Sequence, residues 1–130
     1  MSFSLPPLLD TALDRAVIPG YSRLGYWARS SGWPKDDPTP DALKGTTVLV
    51  TGANSGVGKA TSEAVARLGA TVLMTVRNRE RGEQARQEIL AAVPDADVRL
   101  ELCDVSDLAG VETFAAELSG RIHRLDVLIH

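Results

Sequence analysis

Apolar positions along residues 45–130 follow two different periods. Four short runs, at residues 46–51, 70–76, 98–102 and 125–130, are rich in β-branched or alternating apolar residues and are too short for buried helices. In the three segments between them, apolar residues recur every three or four positions, which is typical of amphipathic helices. The pattern therefore predicts seven elements in the order β-α-β-α-β-α-β.

Turn chemistry sets the predicted ends of the three helices. The first begins at Val57 and ends before Gly69, since glycine suits the position just after a helix. The second covers residues 80–93. For the third, we expect Ser106 as the N-cap and Gly120 as the end.

Strands that are apolar almost throughout are buried on both faces, which is typical of a parallel sheet covered by right-handed crossover helices. The sequence therefore predicts an α/β protein with a Rossmann-type doubly wound parallel sheet of strand order 3-2-1-4, incomplete after the fourth strand. A sheet of this order binds its ligand in the crevice between strands 1 and 4, where the order reverses.

The first 40 residues differ from the rest, because they contain six of the seven prolines and five of the six aromatic residues. We predict an amphipathic helical extension over residues 1–32, a proline-rich irregular connector over 33–44, and the sheet domain over 45–130. The extension is either a peripheral membrane or partner-docking helix, or a cap on the domain's own surface. Because the first helix carries Asp10 and Asp14 alongside its one basic residue, Arg15, we favour the cap.

Composition excludes several classes of function. The 130 residues carry a net charge of −3, which argues against a nucleic-acid partner held by bulk electrostatics. A single cysteine, Cys103, excludes an internal disulfide and a cysteine-based zinc site, so no metal is expected. No apolar stretch is long enough to span a membrane, and the start lacks a basic region typical of a signal peptide. We therefore expect a cytoplasmic protein.

A spaced glycine motif follows the first strand and opens the first helix. Gly52 permits a tight turn, Gly56 lets the backbone approach a pyrophosphate, and Gly58 lets the helix pack closely. A P-loop would need glycine at Ala53 and serine or threonine at Ala60, so that alternative is excluded. The motif predicts that a dinucleotide binds at the helix N-terminus.

The octapeptide TGANSGVG at residues 51–58 resembles the T-G-x-x-x-G-x-G motif of the short-chain dehydrogenase/reductase family, in its common branch. Asp104 and Val105 after the third strand agree, as does LDVLI at 125–129, which resembles the strand that leads into the family's N-A-G motif. The resemblance covers residues 45–130. The stretch 76–85 and the N-terminal extension are similar to member-12-like and retinol-dehydrogenase-like members.

The resemblance implies which residues contact the cofactor. Asp104 would accept a hydrogen bond from the adenine amino group, with Val105 beside the ring; the alternative for Asp104 is a loop residue that helps to cap the third helix. The residues implied to surround the pyrophosphate and the adenosine ribose are Gly52, Asn54, Ser55, Gly56, Val57 and Gly58.

The end of the second strand predicts NADP as cofactor, with NAD less favoured. NAD-specific relatives of this fold carry an acidic residue about 20 residues beyond the glycines, and Val76 stands at that place. Arg77 follows, where its guanidinium can pair with a 2′-phosphate, and Asn78 lies beside it. The alternative is that Arg77 is an exposed loop arginine.

The family's catalytic serine, tyrosine and lysine follow the N-A-G motif, which would begin at His130. Tyr21 and Tyr26 do not replace that tyrosine, because Gly25 and Ser30 stand where the lysine is needed. We therefore expect no catalytic residue here, and regard the chain as the NADP-binding half of an oxidoreductase that moves hydride between a nicotinamide and a small-molecule carbonyl or alcohol substrate. The alternative is a stand-alone nucleotide-binding or interaction module.

Overall fold

The computed structural model describes Ser30 and residues 38–130. Its elements are β1 (Thr47–Thr51), α1 (Gly56–Arg67), β2 (Thr71–Val76), α2 (Arg79–Ala92), β3 (Val98–Leu102), α3 (Leu108–Arg121) and β4 (Val127–Ile129). The predicted element order is confirmed, although β4 is shorter than predicted. Apart from Ser30, the predicted extension lies outside the described residues, as does the first part of the connector, and the domain boundaries stay a prediction.

The four strands form one parallel sheet in the order β3-β2-β1-β4, as predicted. Val48 pairs with Val72 on one side and Val127 on the other, so β1 lies inside the sheet. The chain moves outward from β1 through β2 to β3 and then returns across the sheet to β4. This reversal places a crevice at the carboxyl ends of β1 and β4.

The sheet face covered by α1 and α2, which we call the α1/α2 face, carries most of the core. Alternate strand residues point to it, because successive side chains of a strand alternate between faces. They pack against small and branched residues of the two helices, notably Ala66, Ala85 and Ile89. The buried strand residues on this face are Val48, Val50, Val72, Met74, Val76 and Val98.

The opposite face, which we call the α3 face, holds a much smaller core. Only Leu49, Leu73 and Leu118 are buried in its apolar cluster, within the part of the chain that the structure describes. Glu101 of β3 also lies on this face and is 9% exposed. Its carboxylate accepts hydrogen bonds from the Arg121 guanidinium, at 2.7 and 3.2 Å, which pins α3 to the sheet edge.

Of the predicted helix ends, the end of α1 at Gly69 is confirmed, whereas the start and the end predicted for α3 are wrong. Gly69 has a φ of +86° directly after the C-cap of α1, as predicted. Ser106 is not the N-cap of α3: that position belongs to Asp107, because the Ser106 hydroxyl donates instead to Asp104. Helix α3 also continues through Gly120 to Arg121, since a glycine at normal helical φ does not end a helix.

Asp126, directly before β4, is exposed and also binds the start of β1. Its Oδ2 accepts a hydrogen bond from the backbone N–H of Thr47 at 2.8 Å, and its own N–H donates to the Thr47 carbonyl at 3.0 Å. These bonds join the starts of β1 and β4. Asp126 therefore fixes the register that brings the carboxyl ends of the two strands together.

Candidate functional site

The glycine turn after β1 adopts a backbone shape that favours glycine. Gly52 has a φ of +61° and Gly56 a φ of +53°, both in the left-handed region. Between them the buried Ala53 donates its N–H to the Thr75 carbonyl at 3.4 Å, which ties the turn to β2. The turn is thus held against the neighbouring strand rather than standing free.

Because Gly58 has no side chain, the first turn of α1 can pack directly against the glycine turn. A Cβ at Gly58 would lie 2.5 Å from the carbonyl oxygen of Gly52, a backbone atom that has no room to move. The N-cap residue, Ser55, makes no side-chain capping bond, and the first turn carries no acidic residue. The first-turn N–H groups and the positive end of α1 are therefore open to an anion.

A cavity of about 310 Å³ lies where the glycine turn meets the carboxyl ends of β2 and β3. Six of the ten predicted site residues line it: Gly52, Asn54, Ser55, Arg77, Asp104 and Val105. These residues come from three separate segments of the chain. The fold brings them to one edge because the carboxyl ends of parallel strands meet there.

The other four predicted residues lie outside this cavity. Gly56, Val57 and Gly58 form the first turn of α1, and Val57 is 85% exposed. Asn78 is the N-cap of α2, where its Oδ1 accepts a hydrogen bond from the Arg81 N–H at 2.9 Å. Asn78 therefore has a structural task that the sequence analysis missed, although an asparagine just before a predicted helix is a known capping signal.

Asp104 presents an ionised carboxylate to the cavity. Its Oδ1 accepts hydrogen bonds from the Ser106 hydroxyl at 2.7 Å and from the Ser106 N–H at 3.0 Å. These two bonds, with a smaller contribution from the charge of Arg77, hold the pKa of Asp104 below its ordinary value. The Asp104 carbonyl also accepts a hydrogen bond at 3.1 Å from the N–H of Asp107, the N-cap of α3, so the alternative role of Asp104 in the loop before this helix stays open.

Val76 and Arg77, at the end of β2, both line the cavity but differ in exposure. Val76 is 2% exposed, and its Cγ2 would lie 2.6 Å from a Cβ placed on Gly82, so it packs tightly against α2. Arg77 is exposed and lines the cavity. Within residues 38–130 its guanidinium has neither a hydrogen-bond nor an ion-pair partner.

Four residues that the sequence analysis did not assign to the site also line the cavity: Thr75, Val76, Cys103 and Ser106. Cys103 is half-buried, and burial together with the nearby charges of Asp104 and Asp107 raises the pKa of its thiol. The Thr75 hydroxyl is buried without a hydrogen-bond partner. For Cys103, its position directly before Asp104 was the sequence signal that could have placed it at the cavity. For Thr75, which lies inside an apolar run, the sequence held no such signal.

A second, mainly apolar cavity of about 440 Å³ lies under the α3 face and shares Thr75, Cys103 and Val105 with the first. At its rim, the Thr51 hydroxyl lies 3.0 Å from Nδ1 of His130, joining the ends of β1 and β4. Among the described residues, no three histidine, cysteine or acidic side chains group as metal ligands. No helix of the described part is long and apolar enough to cross a bilayer.

The family model described as short chain dehydrogenase matches residues 46–130. The chain belongs to this family. It is 43% identical over 89 residues to dehydrogenase/reductase SDR family member 13 of Bos taurus, with 68% of this chain and 24% of the relative covered. It is 42% identical over 101 residues to retinol dehydrogenase 14 of Mus musculus, with 70% and 30% covered.

These relatives place this short-chain dehydrogenase in the retinol-dehydrogenase type, as the sequence predicted. Short chain dehydrogenase resG of Aspergillus sclerotiorum is 34% identical, with 99% of this chain and 35% of the relative covered. The chain thus spans about a quarter to a third of the length of the curated relatives it matches.

Solved structures of the same family share the fold. A metagenomic short-chain oxidoreductase in complex with NADP is 34% identical, with a TM-score of 0.60 over 66% of this chain and 38% of that one. The citronellol catabolism dehydrogenase AtuB of Pseudomonas aeruginosa PAO1 is 30% identical, with a TM-score of 0.63 over 69% and 37%. The Rossmann-like parallel sheet predicted from the sequence is therefore confirmed.

Proposed function

We propose that this chain is the cofactor-binding part of a nicotinamide-dependent oxidoreductase that transfers hydride between NADP(H) and a carbonyl or alcohol carbon of a small molecule. The observation that carries the proposal is the cavity of about 310 Å³, which unites the glycine turn, Arg77 and Asp104 at the carboxyl edge of the sheet. Family membership and the NADP complex of a related structure support the same chemistry.

Each part of the site fits one part of the cofactor. The open N-terminus of α1 and the close approach at Gly58 suit a pyrophosphate. The Asp104 carboxylate suits the adenine amino group, with Val105, 53% exposed, against the ring. When bound, the nicotinamide accepts or donates the hydride; the residues of this chain bind and orient the cofactor.

Arg77 favours NADP over NAD. Its guanidinium is unpaired and lines the cavity, where it can form a charge-assisted pair with a 2′-phosphate. No carboxylate lies between Glu63 and Glu80 to repel that phosphate. The site-residue assignment, including Gly56, Val57 and Asn78, is part of this proposal.

Isothermal titration of the 130-residue chain with NADP⁺ and NAD⁺ tests the cofactor choice. We expect NADP⁺ to bind about tenfold to a hundredfold more tightly, the range of one charge-assisted pair. Arg77→Ala should remove most of this preference, whereas Arg67→Ala, with the same charge change at the far end of α1, should keep it. Equal or tighter binding of NAD⁺ by the unchanged chain would contradict the assignment.

Val76→Asp would introduce the acidic residue that NAD-specific relatives carry, but it is a weaker test of the cofactor choice in this structure. Val76 is buried against α2, so Val76→Asp together with Arg77→Ala would place a carboxylate in a largely apolar contact. Such a variant would lose stability as well as change its cofactor preference. Arg77→Ala alone separates the two effects.

The catalytic step is proposed for the longer protein. The names of the relatives, retinol dehydrogenases among them, suggest an alcohol or the matching carbonyl compound as the substrate class. We expect the 130-residue chain to show no reductase turnover with a carbonyl panel, because it lacks a Tyr-x-x-x-Lys pair. Turnover that is lost in Tyr21→Phe or Tyr26→Phe would contradict this. Location in the cytoplasm stays a prediction from the sequence.

A further inference from the structure

The apolar cavity of about 440 Å³, which we call the α3-face cavity, lies between helix α3 and the sheet. Phe114 and Leu118 of the helix form part of one wall, and Leu49 of β1 forms part of the other. Apart from His130 at the rim, the described residues that line it include no basic side chain and no carboxylate. A charged ligand would lose its hydration there without gaining an ionic partner inside, so the cavity suits an uncharged molecule.

The volume of this cavity sets the size of that molecule. An apolar cavity of about 150 Å³ inside a protein binds benzene, and sites for small ligands measure about 300–1,000 Å³. At about 440 Å³, the α3-face cavity has room for two fused rings or for a branched aliphatic chain of similar size. Phe114, half-buried in the wall, provides an aromatic contact for such a ring.

One polar atom in the wall of this cavity has no partner. Thr75 is 2% exposed, and its hydroxyl is buried without a hydrogen bond within the described residues. Its neighbours Met74 and Val76 pack on the α1/α2 face, so the Thr75 side chain points to the α3 face, where it lines the cavity. Because native proteins pair nearly all of their buried polar side-chain atoms, an unpaired hydroxyl in a cavity wall indicates a ligand that pairs with it.

The other polar groups along the cavity are engaged or uncharged. The Thr51 hydroxyl lies 3.0 Å from Nδ1 of His130, and the Ser119 hydroxyl donates to a backbone carbonyl within α3 at 2.8 Å. Burial, together with smaller contributions from nearby carboxylates, raises the pKa of the Cys103 thiol, which therefore stays protonated at neutral pH. Among the described residues that line the cavity, Thr75 thus supplies the one unengaged hydroxyl.

We propose that the α3-face cavity binds an uncharged, mainly apolar small molecule with one hydroxyl or carbonyl oxygen, which the Thr75 hydroxyl holds by a hydrogen bond. A threonine hydroxyl both donates and accepts, so an alcohol, a phenol or a ketone can pair with it. The apolar walls supply most of the affinity through burial, and the single hydrogen bond fixes the orientation of the molecule. This site adjoins the cavity proposed for the cofactor, because Thr75, Cys103 and Val105 line both, and it does not require the cofactor to bind.

Two probes that differ by one hydroxyl, 2-naphthol and naphthalene, test the proposal by NMR titration of the ¹⁵N-labelled 130-residue chain. We expect both to bind, with the largest amide shifts near Leu49 and Phe114, and 2-naphthol to bind about threefold to tenfold more tightly. Thr75→Val keeps the shape of the side chain, so it should remove this advantage and leave the affinity for naphthalene unchanged. Thr71→Val is the matched control, because the Thr71 hydroxyl lies in the same strand, is already bound to Asp97 and does not line this cavity.

Thermal unfolding without a probe should show that both variants fold. Equal affinity for the two probes in the unchanged chain, or the same hydroxyl advantage in Thr75→Val as in Thr71→Val, would overturn the role of Thr75. Shifts outside the α3 face, or no saturable binding up to the solubility of the probes, would overturn the site itself. Excess NADP⁺ should leave 2-naphthol bound; its displacement would assign the cavity to the cofactor instead.

Discussion

The two faces of the sheet differ in how well they are filled. On the α1/α2 face eleven residues are buried in one apolar cluster, whereas three are buried on the α3 face, within the described residues. The α3 face also borders a cavity of about 440 Å³ and buries a hydroxyl, that of Thr75, without a partner. Both faces are formed by the same four strands, so the difference in burial comes from the helices that cover them.

The well-filled face is the one that builds the candidate site. Helix α1 supplies the N-terminus beside the glycine turn, and α2 begins with its N-cap, Asn78, directly after Arg77. Their positions depend on two close approaches to the sheet, at Gly58 and Gly82. The α3 face contributes Cys103 and Val105 through the loop before α3, but the helix itself does not line the site cavity. Stability and cofactor geometry are therefore expected to depend mainly on one face.

Deleting one large side chain from each face should give the largest contrast. Ile89, fully buried on the α1/α2 face, should cost about 2–5 kcal/mol of unfolding free energy when changed to alanine. Leu118→Ala on the α3 face should cost about 1–2 kcal/mol, because Leu118 already borders a cavity and has fewer contacts to lose. Urea unfolding of both variants measures this, and equal costs would remove the distinction between the faces.

A methyl group added at Gly58 should disturb both stability and binding. In Gly58→Ala the new Cβ would meet the Gly52 carbonyl at 2.5 Å, so we expect a loss of about 1–3 kcal/mol and strongly weakened NADP⁺ binding. Gly120→Ala in α3 is the control, since a Cβ there has open space within 4 Å and should stabilise by about 0.5–1 kcal/mol. Denaturation and titration with NADP⁺ check both. Unchanged binding in Gly58→Ala would argue that close packing of α1 is not needed.

Removing the unpaired hydroxyl from the α3 face should be stabilising. Thr75→Val keeps the shape of a side chain that is 2% exposed and removes a buried polar atom without a partner, so we expect a gain of about 1 kcal/mol. In the same strand, Thr71 donates its hydroxyl to Asp97 at 3.1 Å, so Thr71→Val should not stabilise. Thermal unfolding of the pair measures the difference; a loss of stability in Thr75→Val would show that its hydroxyl has a partner in solution.

The smallest effect concerns the pH response of Asp104. Since hydrogen bonds from Ser106 lower the folded-state pKa of Asp104, its stabilising contribution is present at neutral pH and is lost as the pH falls through that lowered value. Ser106→Ala should move the pKa of Asp104 up toward its ordinary range, as measured by carboxyl carbon NMR titration. Ser119→Ala, whose hydroxyl donates to Ala116 within α3, should leave it unchanged.

The sequence was sufficient for the topology, because β-branched runs, helical periodicity and glycine spacing are local signals that agree with one another. It was also sufficient to place Gly58 in the first turn of α1 and Arg77 at the carboxyl end of β2, because each follows a recognisable strand. It was not sufficient for the bond from Asp126 to β1 or for the buried hydroxyl of Thr75. Their roles depend on which strands and helices lie next to them, and such tertiary contacts leave no periodic mark in the sequence.

Chemical-shift mapping on the ¹⁵N-labelled 130-residue chain tests the central claim most directly. On titration with NADP⁺, we predict the largest amide shifts in residues 52–58 and at Arg77, Asp104 and Val105, with little change at Leu118 on the α3 face. Shifts that cluster along the α3-face cavity, with the glycine turn unchanged, would contradict the placement of the cofactor at the carboxyl edge beside α1 and α2.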